Sequence, residues 1–388
     1  LAGFALIFRL VFIGSLPNLS QDFYRFIWDG RLIAEGINPF LSTPKKLLEE
    51  NFSAIAQTRI LIDGMGSLNA SNYSNYPPVS QFVYGIAGFF AKKSILGSVV
   101  IMRLILIAAD FGTLYFGKKL LKKLQLPSHR IFWFILNPFV ILEFTGNLHF
   151  EGLMVFFLLS GIYFLVQKKW MFSAILIGFS ISVKLLPLLI LPLFFNYFRK
   201  KFKLGFVKLL GFYMLIFTTV FLTFIPFLSE NLIQNYSDSV GLWFSKFEFN
   251  ASVYYIIRWI GFQTVGWNII GTVGKILPII IFLGILGLTF FRKNYPEKKL
   301  LQNMLFAFCL YFLLSTTVHP WYLATPLLLS IFTKFRFLLL WSFLIVLSYS
   351  AYNTQEFQEN MYLLALEYLL VVGFFTYELY YKRRKMIS

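Results

Sequence analysis

The chain has 388 residues, is 58% hydrophobic and only 13% charged, and has a mean hydropathy of +0.71. Repeated apolar runs of roughly 18 residues or more mark a polytopic helical membrane protein and exclude a soluble fold, while their continuity without alternation excludes a β-barrel. The net charge of +18 falls in short Lys and Arg clusters between those runs, the signature of cytoplasmic loops, so nucleic acid is not an expected partner. The one cysteine, Cys309, excludes an internal disulfide and a thiolate metal site.

The first apolar run, 1–15, reads as a retained span with Arg9 inside it, and the absence of an initial Met points to residues missing before Leu1. Residues 16–94 are mostly too polar to span and read as a first outer loop, of a length that is usually functional. It opens with a charged cluster beside the membrane, in which Asp22 and Asp29 are seven apart with Arg25 and Arg31 interleaved. On a helix that spacing is about two turns, so the two carboxylates share a face. The apolar segment 78–90 in the same loop is too short for an ordinary span and reads as an interfacial helix.

The remaining runs follow a parity rule. Basic clusters at 118–123, 168–169, 199–203, 292–299, 334–336 and 382–385 belong on the cytoplasmic side, so an even number of spans separates each from the next. The spans are 97–117, 132–145, 152–166, 171–183, 185–198, 206–227, 266–291, 300–318, 322–333, 337–351 and 361–381. With the first run they make twelve, both ends cytoplasmic, and 228–264 becomes a second outer loop. The chain is expected to be one all-α integral-membrane domain, 1–388. Arg103 and Asp110, seven apart in one span, are expected to be buried partners.

The unusual polar residues then collect on the outer face. Asp22 is either a general base or a helix-start partner for Arg25 and Arg31, and Asp29 has the same two readings. Lys184 lies inside an apolar run beside Pro187, where a lysine costs on the order of 3 kcal/mol. It is either a phosphate-binding cation or a snorkelling side chain. His149 and Glu151 sit at an outer turn, where they could meet a metal, sugar hydroxyls or water. Tyr76, Arg258, His319 and Trp321 complete the set: an arginine suited to a phosphate or to the solvated interface, and aromatic faces suited to sugar or to the membrane boundary. The three histidines are dispersed, so no zinc motif exists, and no glycine-rich phosphate loop precedes a helix.

Five segments in order carry a resemblance: QDFYRFIWDGRLIAEGINPF, NYPPVSQFVYGIAGFF, LNPFVILEFTGNLHFEGLMVFF, VKLLPLLILPL and HPWYLATPLLL. Together they resemble the GT-C superfamily of integral-membrane glycosyltransferases, most closely the polyprenyl-phosphate-mannose-dependent mannosyltransferases, which include the GPI mannosyltransferase-like group. The resemblance covers nearly the whole chain. It implies an inverting transfer of a sugar, mannose in the first instance, from a lipid-phosphate donor to a glycan or lipid-linked acceptor. Asp22 would be the base, and Lys184, Arg25 and Arg258 would be candidates for the phosphate. His149, Glu151, His319 and Trp321 would contact sugar or acceptor. Gln21-Asp22 stands where the family has an Asp-x-Asp or Asp-Glu pair, which puts metal dependence in question: a divalent cation stays open, and no cofactor is assigned. The lysine-rich composition fits a bacterial inner membrane with the site facing the periplasm. A transporter or lipid flippase is the alternative, and it predicts an internal repeat and mid-membrane polar groups.

Overall fold

The computed structural model of the protein describes residues 1–50, 52, 54–245, 247–353 and 358–387, with the side chains of 243–245, 353 and 382–387 left aside. Of the basic cluster at 382–385 only the backbone is therefore described. The connection between the runs expected as spans at 337–351 and 361–381 lies partly outside the described residues, as does residue 246 of the second outer loop. Among the described residues the fold is helical, and the one β feature is a bridge between Phe249 and Thr317.

The chain opens with α1 (Ala2–Leu10), α2 (Asp22–Ala34), α3 (Pro44–Glu49), α4 (Thr58–Ala70), α5 (Pro78–Ala91) and α6 (Ile95–Lys123). After a 3-10 turn at Ser128–Ile131 come α7 (Phe132–Ile135), α8 (Pro138–Val140), a π-helical turn at Ile141–Gly146, α9 (Glu151–Val166) and α10 (Trp170–Val183). A 3-10 stretch, Leu186–Leu193, leads to α11 (Phe194–Lys201), α12 (Gly205–Phe224), α13 (Leu232–Ser245), α14 (Val253–Val265), α15 (Ile270–Phe290) and α16 (Glu297–Leu314). The last helices are α17 (Ala324–Ser330), α18 (Phe337–Leu344) and α19 (Met361–Ile387).

Four described helical stretches are long and apolar enough to cross a membrane: α6, Gly205–Phe227, α15 and Met361–Tyr381. A fifth is the pair Pro138–Gly146 and Glu151–Val166, bent by 114° at the break between them. Other runs read as spans are shorter or interrupted. The run 1–15 is α-helical only over Ala2–Leu10, 185–198 begins as the 3-10 stretch, and α18 passes into another 3-10 segment, Ile345–Asn353. Pro187 and Pro192 lie in the second of these, and each removes a backbone donor. Hydropathy reports how apolar a run is and carries no information on whether its hydrogen-bond ladder is continuous.

The chain divides into two compact units, 1–117 with 140–188 and 210–242, and 118–139 with 189–209 and 243–388. In the first unit α2 packs on α5 and α4. Proline at the first position preorganises α5, and the Ser20 hydroxyl accepts from the Asp22 backbone N–H at the start of α2. The α2–α5 contact is backbone on backbone. A Cβ on Gly30 would lie 2.1 Å from the Tyr84 carbonyl oxygen, and one on Gly88 would lie 2.2 Å from the Gly30 oxygen.

Two buried arginines fix the rest of this unit, and they correct the expected Arg103–Asp110 pair. Asp110 is bonded instead by Arg9 of α1, Nε to Oδ2 at 2.7 Å, with both side chains buried. Arg103 donates only to backbone: Thr145 O at 2.6 Å, Gly146 O at 3.2 Å, Ile13 O at 3.0 Å and Ser15 O at 2.8 Å. A like-spaced pair along one helix was legible in the sequence; a partner on another segment was not. Removing one member of a buried pair strands the other charge. Asp110→Leu is therefore expected to lower stability by about 3–5 kcal/mol, and adding Arg9→Leu to recover most of it. Denaturant titration in mixed micelles checks both.

In the second unit α16 packs on α15 and α17, and α18 on α19. Its buried polar centre is the loop at Asn250. The Asn250 backbone N–H donates to Glu359 at 2.6 Å, its side chain to Glu367 at 3.3 Å, and Trp341 Nε1 donates to Glu367 at 2.8 Å.

Candidate active site

Most of the sequence-predicted site residues fall in the first unit, around one face of α5. Asp22, the first residue of α2, is half-buried, and its carboxylate accepts from Asn69 Nδ2 at 3.3 Å. Asp29, two turns on, is completely buried and fully engaged. It takes Arg25 Nε at 2.8 Å, Ser74 Oγ at 2.6 Å and Gln81 Nε2 at 2.9 Å. Arg25 also donates to the carbonyls of Asn69 and Asn72, both at 2.9 Å. Arg31 donates to the carbonyls of Ala56 and Lys93 and to the Gln57 side chain, and burial lowers its pKa. The two aspartates of one helix face thus meet different chemistry. Asp29 has its negative charge compensated and its oxygens occupied, while Asp22 retains solvent and acceptor capacity.

The turn after the π-helix holds the next group. Leu148 adopts a left-handed backbone (φ 62°), which lets the N–H groups of Asn147 and His149 bond back to Leu142 and Glu143 at 2.8 and 2.9 Å. His149 Nδ1 lies 2.9 Å from Glu143 Oε2, which also accepts from Asn147 at 3.2 Å. All three side chains are buried. Glu151 starts α9, is completely buried, and pairs with Lys184. Lys184 ends α10 in an extended conformation (φ −156°, ψ 140°). Its side chain is one-quarter exposed, so it links a buried carboxylate to the solvent side.

Tyr84 of α5 ties these groups together. Its ring stacks on Phe26 at 4.6 Å and meets Tyr76 and Phe150 edge-on at 5.9 and 4.9 Å. One turn earlier, Ser80 donates to the carbonyl of Val183, next to Lys184. Burial first, then the charge of Asp29, and further the charges of Asp22 and Glu151, raise the Tyr84 hydroxyl well above its ordinary value, with Ser80 acting the other way. The first unit thus offers a half-buried carboxylate at Asp22, a cation at Lys184 and an aromatic wall around Tyr84, residue types suited to proton abstraction and to meeting an anionic group.

Arg258, His319 and Trp321 belong to the second unit. Arg258 pairs with Glu248 and lies over the Tyr255 ring at 4.1 Å. Glu248 also accepts from Tyr254 at 2.7 Å and Asn268 at 3.3 Å. The His319 ring stacks on Trp321 at 4.6 Å and on Phe249 at 5.2 Å, and both His319 and Trp321 are buried. Among the described residues no three His, Cys, Asp or Glu side chains converge as a metal site. Sequence reasoning missed Tyr84, Gln81 and Glu143. Glu143 had a usable signal, since a lone carboxylate in FVILEFTG is as costly as the lysine that singled out Lys184.

Residues 5–198, half of the chain, match the family described as "Alpha-(1->6)-mannopyranosyltransferase, N-terminal domain". The chain belongs to this MptA_B family. The matched part contains Asp22, Tyr84, Glu143, Glu151 and Lys184, and leaves out Arg258, His319 and Trp321. Among curated proteins the chain is similar to alpha-(1->6)-mannopyranosyltransferase A of Mycobacterium tuberculosis, 22% identical over 342 residues, which cover 81% of this chain and 61% of that protein. It is also similar to alpha-(1->6)-mannopyranosyltransferase B of Corynebacterium glutamicum, 26% identical over 152 residues, 38% of this chain and 24% of that protein. The chain thus spans less than two thirds of the length of these relatives.

Proposed function

We propose that this MptA_B family chain is an integral-membrane mannosyltransferase. It moves mannose from a polyprenyl-phosphate donor to a hydroxyl of a glycan or lipid-linked acceptor, with inversion. Family membership is the observation that carries this reading, and it favours transfer over the transporter or flippase alternative. The relatives' names make an α-(1→6) linkage the first to test. Asp22 takes the acceptor proton. A single displacement needs one base on the face opposite the leaving group. The departing lipid phosphate needs no proton but gains from a cation, and Lys184 supplies it, with Glu151 holding the amine in place. Arg25 and Arg31 are spent on Asp29 and backbone carbonyls, so their part is to hold the outer loop in shape. Tyr76 and His149 of the first unit remain the candidates for sugar contacts beside Asp22. The site faces outward, the periplasm in a bacterial inner membrane, under the twelve-span topology with cytoplasmic ends.

The test is transfer of labelled mannose in membranes from polyprenyl-phosphate-mannose, with nucleotide-linked mannose as the comparison. Label is expected to move from the lipid donor alone. Lys184→Met is expected to lower kcat/KM for that donor by about 10- to 100-fold, the worth of one hydrogen bond to a charged group. Transfer from the nucleotide donor, or an unchanged Lys184→Met enzyme, would count against the assignment.

A further inference from the structure

The second unit contains a cationic site that the transfer chemistry does not use. The turn Ser128–Ile131 and helix α7 present three cations on two neighbouring rings. Lys118 Nζ lies 5.0 Å from the centre of Phe132. The guanidinium carbons of Arg130 and Arg336 lie 5.8 and 4.1 Å from the centre of Trp133. Elsewhere in this unit, among the described residues, each stacked arginine lies over a different ring: Arg199 over Phe195 at 5.4 Å and Arg292 over Phe306 at 6.0 Å.

Two guanidinium groups on one indole repel each other. Among the described residues Arg130 donates to the Thr333 carbonyl, at the long distance of 3.5 Å. Arg336 Nη1 is shielded from solvent and makes no hydrogen bond. The neighbouring carboxylate, Glu378, accepts from the backbone N–H groups of Arg336 at 2.9 and 2.8 Å and of Phe337 at 3.1 Å. Burial first, then the charge of Arg130, lowers the Arg336 pKa, and Glu378 opposes this. Flat guanidinium groups with unspent donors match the oxygens of a phosphate, which accepts two parallel bonds from each.

We propose that Arg130 and Arg336, held against Trp133, form a binding site for a phosphate group, carried by an anionic lipid headgroup or free in solution. The site stands independently of the mannosyl-transfer reading. A phosphate between the two arginines relieves their repulsion and takes up the idle Nη1 donor. An aromatic ring beneath the cations keeps them at headgroup depth.

The experiment uses the full chain in nanodiscs. An arginine-selective dicarbonyl reagent is applied, and the modification rate of each arginine is read by peptide mass spectrometry. Three conditions are compared: phosphatidylcholine alone, phosphatidylcholine with inorganic phosphate, and phosphatidylcholine mixed with phosphatidylglycerol. Modification of Arg130 and Arg336 is expected to slow at least about fivefold with a bound phosphate, while the singly stacked Arg199 and Arg292 change together and little. Protection by inorganic phosphate in phosphatidylcholine assigns the free ion, and protection by phosphatidylglycerol alone assigns the headgroup. No protection by either, or protection equal to that of Arg199 and Arg292, overturns the proposal. Arg130→Gln provides a second reading: protection of Arg336 should fall away, and full protection in that variant would refute a shared site.

Discussion

Asp22→Asn is expected to remove mannosyl transfer by about 10²- to 10⁴-fold, the worth of a positioned base, and to leave the chain folded. Asparagine has nearly the shape of aspartate, and at the first helical position it gives up only the carboxylate's attraction to the helix N-terminus, about 0.3–1 kcal/mol. The single side-chain contact at risk is the 3.3 Å bond from Asn69, an amide that can pair with an asparagine oxygen as it does with a carboxylate. What asparagine lacks is a lone pair basic enough to accept a hydroxyl proton. Asp29→Asn provides the contrast. That carboxylate is buried among Arg25, Ser74 and Gln81, so neutralising it leaves Arg25 uncompensated, and the loss should be of folded protein rather than of turnover. Labelled mannose transfer at matched expression, read beside the amount of folded chain, separates the two. Equal activity in Asp22→Asn and the parent chain would retire Asp22 and direct attention to Glu151.

Gly88→Ala and Gly30→Ala are expected to cost on the order of 3 kcal/mol or more, at or above the upper range of overpacking effects. The added methyl in each case meets a backbone carbonyl, at 2.2 Å from Gly30 and 2.1 Å from Tyr84, and a carbonyl inside a helix cannot rotate away. The helices would have to separate, which pulls Tyr84 off Phe26 and Gln81 off Asp29. Activity should therefore fall with stability. Gly287→Ala is the control: nothing lies within 4 Å of its added Cβ. Removing a helical glycine there should be neutral or stabilise by about 0.5–1 kcal/mol. Thermal unfolding in detergent reads all three; a Gly88→Ala chain as stable as the parent would show that the two backbones are not in contact.

The helical class and the membrane character were legible because apolar runs and basic clusters are one-dimensional properties. So was the outer-loop stretch that opens with Asp22, since a charged cluster beside an apolar run is costly wherever it folds. Pairings were not legible. Arg25 with Asp29 follows helical spacing, but the same reasoning paired Arg103 with Asp110 and missed Arg9, because spacing along one helix says nothing about a neighbour. Glu151 and Lys184 were each singled out, yet their union depends on a turn with a left-handed Leu148 and a π-helical approach, neither of which has a sequence mark. Tyr84 was hidden in a short apolar segment, where one more aromatic ring carries no distinguishing signal.

Arg103 also bears on the order in which the molecule is made. Its guanidinium closes on carbonyls at Ile13 and Ser15 and on carbonyls at Thr145 and Gly146. Synthesis delivers the first two acceptors before the arginine itself, and the last two only after α6 and the segments up to the π-turn have emerged. Until then Nε and Nη2 have no protein acceptor. The turn bearing His149 and Glu151 is thus fastened after α1 and α6 have been made, and its own partner Lys184 follows later still. A nascent chain stopped short of Thr145 would carry Asp22 and its loop but hold an arginine half-bonded inside an apolar helix.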